Sequence, residues 1–309
     1  MHARLTTLSA LALVAAIIAL PAQALQRAFV ASYGSDANTA TSCLLANPCR
    51  GFAAAMTVVD PGGEILALDA AGYAPVTITK SVTITANPGF YAGISVSSGD
   101  GVTIATAGVN VTLRGLNING IGGTNGIVMT NGTRLSVENC VISNFPGGHA
   151  VFVTAPASVR VVGSLIRDNY TGVTVQGGAT ADVANSTFLG HGFIAISAEG
   201  AVTSTTSTVN VTDTVVAGNG YGIASRAVGS GGTRVTVART TISNNNTSAL
   251  ISVSSPGTAV LTLSDSVVTT NGFGLVQSGA AATFESLGNN AVRQNSTQVQ
   301  GTITTVPPM

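Results

Sequence analysis

From Val111 onward the chain repeats one arrangement of apolar and polar positions. Two apolar residues flank a polar one, and a third apolar residue follows five positions on. Val111/Leu113 lead to Ile118, Leu135/Val137 to Ile142, Val159/Val161 to Ile166, and Ala181/Val183 to Phe188. Val209/Val211 then lead to Val216, Val235/Val237 to Ile242, and Leu261/Leu263 to Val268. The second residue of each pair advances by 24, 24, 22, 28, 26 and 26 positions, and a degenerate copy, Phe284/Ser286 with Ala291, follows after 23. Alternation of period two is strand-like, because successive side chains of a strand face opposite sides. The repeats are too short for a strand–helix–strand crossover, and Gly-rich turns separate the strands. Each repeat therefore predicts one coil of a solenoid. Glu64–Ala67, Val76–Thr79, Val82–Thr85 and Ile94–Val96 read as opening coils with less regular turns.

Two further columns follow the same register. Three residues after the second apolar residue come Cys140, Ser164, Ser186, Thr214, Thr240 and Ser266, all small. Eight residues after it come Asn169, His191, Asn219, Asn245 and Asn271. An Asn repeated at one turn can donate to one neighbouring coil and accept from the other, so these residues are expected to form a structural ladder. His191 reads as a satisfied turn residue within it. Cys140 takes a slot filled elsewhere by Ser or Thr, and so reads as a buried small side chain rather than a nucleophile. His149 falls in a Pro146-Gly147-Gly148 loop and is expected to be exposed.

The ends of a solenoid present unpaired strand edges and need covering. Arg50–Val59, with Phe52, Met56 and Val59 at helical spacing, predicts a short amphipathic capping helix stopped by Pro61-Gly62-Gly63. Cys43 and Cys49 bracket a turn-prone loop that would pin the helix. A disulfide is expected, the alternative being a metal site that lacks further Cys or His ligands nearby. Ahead of this lies a targeting pattern: Arg4, the apolar run Leu8–Leu20, and Ala22-Gln23-Ala24 as a small-x-small cleavage site. The expected organisation is a signal peptide over 1–24, a cap segment over 25–62, and the solenoid over 63–309. A secreted or periplasmic location follows, with no membrane insertion after cleavage.

Charge narrows the partners. Without residues 1–24 the chain carries 11 basic and 12 acidic residues, a net charge of −1, and Lys80 is its lone lysine. No basic stripe is present, which argues against nucleic acid. Polarity is carried by Thr, Ser and Asn, which suit stacked strands and tight turns.

Specific segments resemble a known family. Phe29-Val30-Ala31-Ser32-Tyr33-Gly34-Ser35-Asp36 leads into Cys43 and Pro48-Cys49-Arg50-Gly51-Phe52, and then into Gly62-Gly63-Glu64-Ile65 and Thr79-Lys80-Ser81-Val82-Thr83-Ile84. Together with the coils, this resembles exported bacterial right-handed parallel β-helix repeat proteins, relatives by fold of pectate lyases. The resemblance implies an all-β, single-stranded right-handed parallel β-helix with a short N-terminal capping helix. It does not imply one activity, because the fold hosts many.

Polysaccharide lyases, hydrolases and epimerases of this superfold place acids, an Arg or Lys, and often Ca²⁺ on an outer sheet face. Outward positions here carry Arg114 and Glu138 in consecutive coils, then Arg160 and Asp182 in the next two. Opposite charges facing across a ladder read as mutual pairing. Glu138 and Asp182 would lie ~12 Å apart, too wide for a glycosidase pair. Asp213, Arg239 and Asp265 share another column, where Arg239 would hold both carboxylates ionised. No acid cluster suggests a Ca²⁺ site, and no catalytic motif stands out, so no metal or cofactor is expected. Tyr73, Tyr91, Tyr170 and Tyr221 do not fall in one column. The favoured reading is a non-catalytic carbohydrate-binding or surface-structural protein. Its ligand face would bear Arg114, Glu138, Arg160 and Asp182, and its partner would be a polysaccharide or cell-surface glycan. The alternatives are a polysaccharide-active enzyme and an ice-binding surface at Thr77/Thr79, Thr83/Thr85 and Thr302/Thr304.

Overall fold

Each coil contributes one strand to each of three parallel sheets, as residues 158–175 illustrate. Ser158–Val162 lies in sheet 1, Leu165–Arg167 in sheet 2 and Thr171–Val175 in sheet 3. The computed structural model describes residues 26–200 and 204–307, so the targeting segment lies outside the described residues. Among these residues sheet 1 has 12 strands, and sheets 2 and 3 have 10 each. Parallel pairing follows from the winding, since every coil runs the same way past the one before.

Register is strict. Val137, Val161, Val183, Val211, Val237 and Leu263 pair in one line along sheet 1, and all are buried. Ile142, Ile166, Phe188, Val216, Ile242 and Val268 form the matching inward line of sheet 2. Sheet 3 completes the core with Val151, Val173, Ile196, Ile223, Leu250 and Leu275. Burying one such side chain is worth about 1.5–3 kcal/mol, and the identical environment in each coil explains the identical residue class.

Two turns per coil use left-handed backbone. Between sheets 1 and 2 the residue is Asn139, Gly163, Asn185, Asp213, Arg239 or Asp265, with φ from 46° to 61°. Between sheets 2 and 3 it is Asn144, Asp168, Gly190, Gly218, Asn244, Thr270 or Gln294. Gly, Asn and Asp enter this region most readily, which accounts for their recurrence. Arg239, Thr270 and Gln294 are the costly exceptions.

The residue after the second turn builds the internal amide column. The Asn219 side chain donates to Asn245 at 2.8 Å, Asn245 to Asn271 at 2.9 Å, and Asn271 to Asn295 at 2.8 Å. Each of their carbonyl oxygens also accepts a backbone N–H from the adjacent coil. His191 interrupts this column: its Nδ1 accepts from the Asn169 N–H at 3.4 Å, while its Nε2 is buried without a partner. Burial presses its pKa down to about 4. At the first turn, Ser164, Ser186, Thr214, Thr240 and Ser266 donate their hydroxyls to the carbonyl two residues back. Cys140 is buried in this row, and burial pushes its thiol up to about 11, so it is an inert core residue.

At the N-terminal end, Cys43 and Cys49 form a disulfide beside Arg27–Val30, the first strand of sheet 1. The α-helix Phe52–Val58 buries Phe52, Ala55 and Met56 against the opening strands. Tyr73 is fully buried under it, its ring 5.0 Å from Phe52, and its hydroxyl donates to Asp69. A role for Tyr73 on the surface is thereby excluded. His149 also departs from expectation. It begins the strand His149–Val153, is half-buried, and stacks on Phe152 at 4.2 Å. No described helix is long and apolar enough to cross a membrane.

Candidate functional site

Inward residues of sheet 1 form the core, so residues between them face outward. The central outward column runs Thr83, Thr112, Ser136, Arg160, Asp182, Asn210, Thr236 and Thr262, strand by strand. Arg134 lies two residues before Ser136 and pairs in register with Ser158, whereas Glu138 lies two residues after and pairs with Arg114. These side chains surround a depression of about 390 Å³ whose lining includes Arg134, Ser136, Glu138, Ser158, Arg160 and Asp182. A larger hollow of about 800 Å³ continues toward the N-terminal end of the same face, bordered by Arg27, Glu64, Thr83 and Arg114.

The pairing expected from register is only half realised. Arg114 donates to Glu138 Oε2 at 2.8 Å, and the Ser136 hydroxyl donates to Oε1 at 2.8 Å. Partial burial opposes ionisation of Glu138, but these two donors, together with the charges of Arg114 and Arg160, outweigh it. The carboxyl is held below its ordinary range. Arg160 stands directly opposite Asp182 in the ladder, yet no ion pair joins them. Asp182 instead accepts from the Asn210 amide on its other side at 2.8 Å. Among the described residues, the Arg160 and Arg134 guanidinium groups have neither hydrogen-bond nor ion-pair partners. One strand and two residues apart, their backbones are separated by about 8 Å. The sequence reading included Arg160 but missed Arg134, whose position two residues ahead of an outward serine is the signal that would have found it.

The other charged column also differs from expectation. Arg239 binds Asp213 with two hydrogen bonds, of 2.8 and 2.9 Å, lowering the acid's pKa. Asp265 takes its hydrogen bond from Asn289 at 2.8 Å instead. This column belongs to the left-handed turn, and its contacts are structural. No group of three or more His, Cys, Asp or Glu side chains among the described residues could hold a metal ion.

The sheets, turns and stacked columns define a right-handed parallel β-helix of pectate lyase-like type. The chain belongs to the right-handed beta helix region family, whose pattern matches residues 92–255. Among solved structures it is similar to pectate lyase Pel9A, with a TM-score of 0.63 and 15% identity, over 87% of this chain and 79% of that one. It is also similar to the GH136 lacto-N-biosidase from Eubacterium ramulus, with a TM-score of 0.51 and 10% identity, over 91% of this chain and 68% of the other. At such identities the similarity concerns the fold. No functionally curated protein matches the sequence.

Proposed function

We propose that this chain is an exported β-helix that binds an acidic polysaccharide, without turning it over, on the outer face of sheet 1. The observation that carries the reading is the pair of unpartnered guanidinium groups, Arg134 and Arg160, at one depression. A guanidinium fork matches a carboxylate in a bidentate fashion, and two forks carried on backbones about 8 Å apart suit neighbouring carboxylates of a uronate polymer. Glu138 orients Arg114 at one rim, and Asp182 with Asn210 forms the other. The two solved structures it resembles are named as a pectate lyase and a lacto-N-biosidase, which suits a glycan partner. Export is supported by the leader pattern of residues 1–24 and by the Cys43–Cys49 disulfide, a bond of oxidising compartments.

Binding is favoured over acid-assisted hydrolysis because Glu138 is held ionised and is poorly suited to act as a general acid at neutral pH. Its backbone stands two strands and two residues from that of Asp182, ~12 Å away, a wide setting for a glycosidase pair. The experiment is calorimetric titration with polygalacturonate and alginate, alongside ultraviolet detection of unsaturated uronide products. Saturable binding without product is expected. The double variant Arg134→Ala/Arg160→Ala should weaken binding at least tenfold and leave the melting temperature nearly unchanged. Product release would convert the reading into that of a lyase, and full binding by the folded double variant would remove this face from consideration.

A further inference from the structure

Sheet 3 carries a second surface of different chemistry. Tyr170, Phe193 and Tyr221 stand at or just before the start of three adjacent strands. Their backbones are tied in series: the Phe193 N–H donates to Tyr170 O at 2.8 Å, and the Tyr221 N–H to Phe193 O at 2.6 Å. The Tyr170 and Phe193 rings stack at 5.3 Å with their planes 17° apart, and the Tyr221 ring meets Phe193 edge-on at 5.5 Å. The Arg226 guanidinium lies 5.7 Å from the Phe193 ring centre and pairs with Glu199 at 2.7 Å. One strand earlier in the same sheet, His149 and Phe152 form another stacked pair.

These rings are not core residues that strayed outward. Thr174, Ser197 and Ala224 are register-matched on the three strands and point away from the core, because their neighbours Val173, Ile196 and Ile223 point into it. They are nonetheless only 5%, 1% and 0% exposed. Side chains beyond the sheet therefore cover these positions, and the Phe193 ring lies among Tyr170, Tyr221 and Arg226. Tyr170, at the end of the stack, remains 44% exposed. The chain has only 9 Phe, 5 Tyr and no Trp, so gathering three of them outward in consecutive coils is a considerable share of its aromatic content.

We infer that this aromatic strip is a second glycan-binding surface, and that its ligand is a neutral oligosaccharide lying along the solenoid axis. The apolar C–H face of a sugar ring packs on an exposed aromatic ring, while flanking polar groups orient its hydroxyls. The flanking charges cancel in pairs, Glu199 with Arg226 and Arg167 with Asp168, so the strip has no net charge to attract a uronate. That separates it from the arginine-lined depression on sheet 1. The inference does not depend on the acidic-glycan reading.

The test is affinity electrophoresis through gels containing barley β-glucan, xylan or galactomannan, with tyrosine fluorescence during titration by the corresponding hexaoses. Because the chain lacks Trp, its emission reports on tyrosine directly. Retardation in at least one neutral gel is expected. Tyr170→Ala should reduce that affinity at least tenfold, while Arg134→Ala/Arg160→Ala should leave it unchanged. Arg226→Gln, which keeps a polar side chain but removes the guanidinium from Phe193 and Glu199, should also weaken binding and serves if Tyr170→Ala fails to fold. The inference is overturned if none of the three gels retards the wild-type protein, or if folded Tyr170→Ala binds as the wild type does. It is equally overturned if sedimentation shows that Tyr170→Ala only dissolves a self-association of the chain.

Discussion

Inward and outward positions of the same sheet 1 strands follow different rules. The inward line from Val137 to Leu263 keeps one residue class in every coil, with almost no exposure. The outward line beside it runs Ser136, Arg160, Asp182, Asn210, Thr236 and Thr262, changing chemistry from coil to coil under the same strict register. Stacking dictates side chains only where water is excluded. There, a polar group costs several kcal/mol unless it is hydrogen-bonded, whereas an outward group on sheet 1 reaches water or a polar neighbour such as the Glu138 that Ser136 donates to. Departures from uniformity on the outside are consequently where binding chemistry can be built without loss of fold, and departures on the inside are liabilities.

The largest effect should come from moving a charge across that boundary. Val211→Asp would bury an unpaired carboxylate between Val183 and Val237 and cost about 3–5 kcal/mol. Thr212→Asp, one residue on and facing outward, should cost well under 1 kcal/mol. Denaturant unfolding compares the two directly, and equal midpoints would mean that the inside–outside division is wrong.

His191 is the inward exception, and its effect should depend on pH. Its folded pKa of about 4 lies below the ordinary value of 6.5. The unfolded chain therefore binds a proton in that interval while the folded chain does not. Stability should fall as pH drops from about 6.5 to 4, by roughly 1.4 kcal/mol per unit and about 3 kcal/mol in all. His191→Asn would restore an amide at this place in the column and remove the unpartnered Nε2. Melting curves at pH 7 and 4.5 should show a smaller acid loss in the variant than in the wild type, and identical losses would refute the assignment.

Thr270 tests the turns. It is β-branched with φ 55°, where Asn244 holds the equivalent position one coil earlier with the same φ. Thr270→Asn should stabilise the chain by about 0.5–1 kcal/mol, read as a rise in melting temperature. The smallest effect belongs to the outside: Thr236→Arg, between Asn210 and Thr262, should change stability by less than about 0.5 kcal/mol. A larger loss would show that outward columns are more constrained than the comparison allows.

Legibility in the sequence followed the same division. The coil length, the inward lines and the amide column were readable from spacing, because each imposes a residue class at a fixed offset. Asn295 extends the amide column but follows a degenerate coil and went unread. The left-handed turns were also missed, although Gly, Asn and Asp alternate there, because Arg239, Thr270 and Gln294 break the pattern. Tyr170 follows its column residue Asn169 directly, whereas Gly192 and Gly220 separate Phe193 and Tyr221 from His191 and Asn219. That one-residue slip hid the aromatic strip from any search at constant offset.

By itself, the sequence determined which backbone positions stack and which face the core, since period and apolar spacing are one-dimensional records of coil geometry. Only the tertiary structure decided which neighbours the outward side chains choose. Register put Arg160 opposite Asp182, but Asn210 flanks the same carboxylate on the far side and takes it, leaving the guanidinium unpartnered. Backbone register is set by many cooperating hydrogen bonds and buried contacts. The orientation of one exposed side chain rests on differences of about 1 kcal/mol or less between competing partners, which spacing along the chain does not encode.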